Sequence, residues 1–174
     1  MILHLGGMTM ELVRLKVEEL TQEKFSPYGR VLDVGKLNPR MREDIFTFWD
    51  GLARMRVEGE LTVGYLRVFK RSPEFSKLER HVKTEEIFFA IDKPVIALVG
   101  VPTPHQDHPD PSTVKAFYVK PGKGVLLKEG AWHWIPFPLE ESADLLVLFK
   151  SGTVDNDLTI EDLAEKGVTF KIEI

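Results

Sequence analysis

Four side chains in this sequence could do acid–base or metal chemistry together: Glu79, His81, Glu86 and His133. Imidazole moves protons near neutral pH and ligates divalent metals, and carboxylates complete a nitrogen and oxygen donor set. Such a set suits Mn, Fe, Ni or Zn. Glu79 and His81 are two residues apart, so an extended strand puts them on one face. Glu85 and Glu86 are adjacent, so only one of them can share that face; if Glu86 does, Phe88 and Ala90 follow it inward. His133 stands between Trp132 and Trp134. On a strand the two indoles point one way and the imidazole the other, which suits a histidine facing the inside of a small barrel. His81 and His133 lie about fifty residues apart and meet only if the fold brings them together. They are the candidate catalytic acid and base, and also candidate metal ligands with Glu79 and Glu86. Unrelated polar residues on strand ends are the bland alternative.

Two cations are candidates for holding an anionic substrate, Arg80 and Lys128. Each has a plain structural reading beside that one. Arg80 would point away from the Glu79–His81 face, into a surface or structural ion pair, and a lone lysine in a turn is usually solvated. His105 and His108 have H-x-x-H spacing but stand in a proline- and aspartate-rich stretch with no helix behind them, which reads as surface loop. His4 reads as incidental.

The elements that must position these residues are short strands. Pro121 to Pro136 reads as three strands joined by turns at Gly122 and Glu129-Gly130. Glu11–Val17, Arg30–Val34, Leu61–Phe69, Glu86–Ile91, Val95–Val101, Val114–Val119, Ala143–Phe149 and Val168–Ile174 read as further strands. Asp50-Gly51, flanked by Ile45–Trp49 and Leu52–Val57, is the strongest hairpin signal. Thr21 caps a short helix over Gln22–Phe25, and Thr159 a second one through Glu165, stopped by Gly167. About ten short strands and two short helices predict an all-β sandwich or barrel in one domain over residues 1–174. An interior cavity in such a barrel is a natural small-molecule site.

The bulk composition narrows the classes. With 174 residues, 43% hydrophobic and 29% charged, the chain can bury a real core. A net charge of −4 with no basic run leaves nucleic acid and anionic membranes without an electrostatic footprint. No cysteine is present, which excludes thiol catalysis, zinc–cysteine sites and disulfides. No apolar run is long enough to span a bilayer, and Met1–Gly7 does not read as a signal peptide, so a cytoplasmic location is the expectation. Met8 and Met10 are alternative starts.

Two stretches resemble cupin motifs. Gly122, Gly130 and His133 keep the spacing of the second motif, with Lys128 in place of its Pro and Phe137 in place of its Asn. Glu79, His81 and Glu86, or Glu85, follow the first motif, with Glu79 at its first histidine position. The fold implied is a cupin-type jelly-roll β-barrel with a few short helices. With their flanks, Phe25-Ser26-Pro27-Tyr28-Gly29-Arg30-Val31, Leu78-Glu79-Arg80-His81, Gly124-Val125 and Trp132-His133 resemble the ureidoglycolate lyase family, over Leu20 to Leu158. That resemblance implies cleavage of ureidoglycolate, or a related small hydroxy or ureido acid, to glyoxylate and urea. It also implies a homodimer and a site at the barrel mouth. Glu86 stands where that family usually has Gln, which moves this chain toward a metal-binding cupin. The alternative is a metal-binding cupin of other specificity, taking a sugar or small acid without catalysis.

Overall fold

In the computed structural model, the backbone is described for residues 2–5 and 8–174, and side chains from residue 10 onward except Lys36. His4, with all of Met1–Gly7, therefore lies outside the residues whose side chains are described. Among the described residues, sixteen strands follow in order. The first eight are β1 (Ile2–Leu5), β2 (Met8–Glu19), β3 (Gly29–Leu32), β4 (Met41–Glu43), β5 (Phe46–Phe48), β6 (Leu61–Phe69), β7 (Glu74–Phe75) and β8 (Lys77–Arg80). The others are β9 (Glu86–Ala90), β10 (Val95–Gly100), β11 (Lys115–Val119), β12 (Gly124–Leu127), β13 (Trp132–Pro138), β14 (Ser142–Lys150), β15 (Thr159–Asp162) and β16 (Val168–Glu173). Two one-turn helices, α1 (Gln22–Phe25) and α2 (Thr153–Asn156), complete the regular structure with three 3-10 turns.

Two curled sheets face each other as a cupin-type barrel. The larger runs β15-β8-β13-β10-β11-β2-β16-β7 with β1 on β2, and the smaller runs β3-β12-β9-β14-β6. Pairing is antiparallel except where β2 runs parallel to β11 and β16. Alternation decides the inside. Phe88, Ala90, Val125, Leu127, Leu145 and Val147 of the small sheet are buried against Val95, Ala97 and Val99 of β10 in one core cluster. The opposite pleats of the large sheet send Leu78, Ile96, Leu98 and Trp132 into a second cluster with Phe170 and Ile172 of β16. β10 is therefore buried along its whole length, as its continuous apolar run predicts.

Most of the expected strands are present, and Thr21 caps α1 by accepting from the Lys24 amide. Three expectations are corrected. Pro121–Pro136 holds two strands, β12 and the start of β13, rather than three, because β11 already ends at Val119. The hairpin turns at Asp44-Ile45, because β4 pairs with β5 through Glu43 and Phe46. Leu52–Val57 finds no partner strand; the Arg56 amide donates instead to the Glu85 carboxylate. The helix from Thr159 is replaced by β15, whose Thr159 pairs with Arg80 and Ile160 with Glu79. Only Leu163–Lys166 coils, capped by Asp162 and ended by Gly167 at φ 77°. The exposed edge of β8 offers more hydrogen bonds than an isolated turn of helix, so pairing wins.

Candidate functional site

The site forms where the two sheets come together at one end of the barrel. The large sheet supplies Glu79, His81 and His133. Glu79 lies opposite His133 in the β8–β13 register, which brings cross-strand side chains on one face into contact. His81 follows β8 directly. The four-residue turn 82–85 then crosses to β9 of the small sheet, which begins at Glu86. The turn at Gly130 has φ 75°, a conformation glycine adopts without strain, and its amide donates to the His81 carbonyl at 2.6 Å. One tight turn thus ties the second motif to the first.

The four polar ends converge. His133 Nε2 lies 3.0 Å from Glu86 Oε2 and 3.4 Å from Glu79 Oε1, and His81 Nε2 lies 3.6 Å from Glu86 Oε2. His133 is 2% exposed and Glu86 5%. The two rings are tilted at 53° with centroids 5.3 Å apart. Backbone carbonyls set both tautomers: Asp157 O is 2.6 Å from His81 Nδ1, and Ala131 O is 3.1 Å from His133 Nδ1. A carbonyl only accepts, so each Nδ1 carries a proton and each Nε2 faces the carboxylates.

Burial opposes charge on His133, but Glu86 and Glu79 overcome it and push its pKa up to about 10. Burial likewise opposes the Glu79 carboxylate, and the close approach of His133, with the attraction of His81, brings its pKa below the usual value. His133 Nε2 and Glu86 Oε2 have the separation of an ion pair, yet their angles leave both atoms buried without a hydrogen bond. Glu79, His81 and His133 also offer one ligand atom each within 4.8 Å of one another. This group could hold a metal ion: the buried atoms lacking hydrogen bonds aim at shared space, and the donors are those of a transition-metal site.

A cavity of about 310 Å³ opens onto three of these residues, Glu79, His81 and Glu86. His133 stands behind them. Phe88 and Phe149 wall the cavity, and Tyr65, Val154 and Leu158 line it as well, so its surface is mostly apolar. The sequence offered no signal for the last three, which come from the edge strand β6 and the α2 region. Of the adjacent glutamates, Glu86 faces inward and Glu85 lies on the outer side.

Neither candidate cation reaches this cavity. Arg80 points to the opposite face of β8, where its guanidinium lies 4.6 Å from the Trp132 ring centroid and donates to the carbonyls of Thr103 and Gln106. Lys128 donates to the carbonyls of Ser26 and Pro27, on the outer side of the small sheet. The pleat explains Arg80: next to Glu79 and His81 in sequence, it faces the other way. His105 and His108 lie in exposed loop.

The fold and site define a small cupin-type β-barrel with a buried histidine–glutamate centre at the floor of an interior cavity. A family profile described as ureidoglycolate lyase matches residues 12–172. The chain belongs to the ureidoglycolate lyase family. It is 26% identical over 171 residues to a ureidoglycolate lyase from Brucella abortus, covering 94% of this chain and 97% of that one. It is 25% identical over 150 residues to another from Chelativorans, covering 82% and 88%. Among solved structures it is similar to Bacillus subtilis oxalate decarboxylase, with TM-score 0.41 and 15% identity, covering 61% of this chain and 24% of that one. It thus spans about a quarter of that structure's length. No described helix is long and apolar enough to cross a membrane.

Proposed function

We propose that this chain, acting as a single domain, is a carbon–nitrogen lyase that cleaves ureidoglycolate to glyoxylate and urea in the interior cavity. The observation that carries the reading is the convergence of Glu79, His81 and Glu86 on one cavity in a chain of this family. His81 Nε2 is the imidazole nitrogen able to take the carbinol proton, and Asp157 O keeps that nitrogen free of its own proton. As the hydroxyl loses its proton the carbonyl forms, and the C–N electron pair leaves with urea. The leaving nitrogen needs one proton, and the imidazolium formed on His81 supplies it. Atoms balance without water, and the apolar walls at Phe88 and Phe149 exclude water from the reacting carbon. The charged His133 lies against the carboxylates of both Glu79 and Glu86 and holds them at the cavity floor.

The same cluster fits a divalent ion on Glu79, His81 and His133, with Glu86 beside them. An ion there (Mn, Fe, Ni or Zn) would occupy His81 Nε2 and would supply Lewis-acid chemistry for the carbinol oxygen in place of the His81 base. Among the described residues no lysine or arginine lines the cavity, so the His133 imidazolium behind it, and an ion if one bound, are the positive charges nearest a substrate carboxylate.

A coupled glyoxylate assay on purified protein tests the activity. Glyoxylate at a rate proportional to enzyme is expected, and a rate no higher than the uncatalysed background from folded protein overturns the reading.

We also infer a homodimer. Val63, Tyr65 and Phe69 of β6 are 62%, 61% and 64% exposed, with Arg67 between the last two ion-paired to Asp144, and Leu146 of β14 lies opposite Tyr65. Exposed large apolar side chains grouped this way on one edge mark an interaction site. Val63→Asp is expected to shift the protein to the monomer in sedimentation velocity; wild-type protein that sediments as a monomer at micromolar concentration overturns the dimer.

A further inference from the structure

Asp157 makes three contacts to the turn that carries the site across from the large sheet to the small one. Its carbonyl accepts from His81 Nδ1 at 2.6 Å. Its carboxylate accepts from the Val82 amide at 3.0 Å and from the Lys83 amide at 2.7 Å, one oxygen each. Its own amide donates to the Thr153 carbonyl at 2.9 Å, which closes α2. The next residue, Leu158, and Val154 of α2 both line the site cavity.

We propose that Asp157 is a positioning residue for the site, acting as a clamp that fixes the tautomer and the ring orientation of His81. The physical reason lies in two kinds of acceptor on one residue. A carbonyl placed beside Nδ1 selects the tautomer with its proton there, and leaves Nε2 to face Glu86 and the cavity. That carbonyl is on a half-buried coil residue outside any ladder, with φ −148° and ψ 46°, so regular pairing does not hold it in place. The side chain does, by gripping the two amides that follow His81. A short, ionised acceptor taking two backbone N–H groups makes charge-assisted bonds on both oxygens. The histidine and the carbonyl that orients it are thereby held in one rigid frame. The same frame ties the α2 side of the cavity to its floor.

The turn has a second tie that provides a control. Thr84 Oγ1 accepts from the Lys150 amide at 3.0 Å and donates to the Glu85 carbonyl at 2.7 Å. Thr84 is 2% exposed and anchors the same four residues without touching His81. Losing it loosens the turn but leaves the Asp157 grip.

The test compares Asp157→Ala, Asp157→Asn and Thr84→Val in the purified full-length protein, at one pH. The readouts are kcat and KM for ureidoglycolate, the folded fraction by circular dichroism, and the ¹⁵N shifts of the His81 ring nitrogens. The kinetic arm rests on the lyase reading; the nitrogen shifts do not. Asp157→Ala is expected to lower kcat per folded protein about 10- to 100-fold, the usual cost of losing a partner that orients a site histidine. KM should change far less. The His81 nitrogens should move toward the averaged shifts of an exposed imidazole. Asp157→Asn keeps one acceptor oxygen and should fall between wild type and Asp157→Ala on both readouts. Thr84→Val should lower thermal stability and leave the His81 shifts in place. If Asp157→Ala does not fold, Asp157→Asn carries the comparison. Unchanged His81 shifts in a folded Asp157 variant overturn the clamp, and so does a Thr84→Val protein whose shifts move as far. Wild-type protein without glyoxylate production would count against the lyase reading alone.

Discussion

The two sides of the small sheet hold two very different concavities. Inside is a cavity of about 310 Å³ with Glu79, His81 and Glu86 at its floor, apolar walls, and no lysine or arginine among the described residues that line it. Outside is a groove of about 630 Å³ with Arg30, Arg54, Arg56 and Lys128 along its wall beside Glu85 and Glu129. One pair of neighbours in sequence divides between them: Glu86 enters the cavity and Glu85 the groove. The groove is larger and richer in charge, yet its charges are solvated. Ionic groups on such a surface are worth little to one another, whereas the two glutamates at the cavity, acting on a buried imidazole, push the His133 pKa up to about 10. Size and charge count do not identify the site. Burial with converging, unsatisfied polar atoms does.

The largest effect that would sharpen this contrast is expected at His81. His81→Ala should lower glyoxylate production by about 10²–10⁴-fold, the range for loss of an acid–base group, and should reduce metal uptake measured by elemental analysis. Activity within a factor of a few of wild type would break the contrast. The adjacent glutamates give the next comparison. Glu86→Gln removes the carboxylate that faces both imidazoles and should cost about 10-fold or more in kcat. Glu85→Gln, which retains an acceptor for the Arg56 amide, should stay within about twofold. Equal losses at the two positions would mean that the pleat does not separate them.

Arg80 separates structural from functional charge. Its guanidinium serves two carbonyls and the Trp132 ring on the far face of β8. Arg80→Ala should cost about 2–3 kcal/mol in urea denaturation, since buried acceptors lose a charged donor. KM should be unchanged per folded protein. A large rise in KM with normal stability would restore it as a substrate contact.

The smallest effect lies on the outer face. Asp144 is held at about 2 by its hydrogen bonds from Arg67 and then Tyr65. A depressed carboxylate contributes stability above its unfolded pKa of about 3.9, and that contribution is lost as pH falls through about 2. The Asp144 carboxyl followed by NMR should titrate near 2, and in Arg67→Ala its midpoint should move up toward the ordinary range. A wild-type midpoint near 4 would remove the pair from the account.

Much of the site was legible in the chain, for a reason specific to strands. Period two put Glu79 with His81, Glu86 with Phe88, and His133 opposite its tryptophans, and each placement holds because both faces of these strands pack against something. The same rule turned Arg80 away, and the rule outweighs the appeal of an arginine beside a site histidine. The hairpin at Asp50-Gly51 was misplaced because a turn signal needs two strands able to pair, and Leu52–Val57 sends an amide to Glu85 instead. The helix after Thr159 failed because the open edge of β8 was waiting for a strand.

By itself, then, the sequence determined the all-β class, the polar residues of the centre and the face each would take. These follow from local periodicity and turn chemistry, which act over a few residues. Tertiary structure alone decided that β8, β9 and β13 meet at one end of the barrel, that Lys128 lies outside it, and that Asp157, seventy-six residues from His81, orients its ring. Those are facts of register and sheet order. The Asp157 contact in particular runs through a backbone carbonyl, a group every residue carries, so no residue type could have announced it.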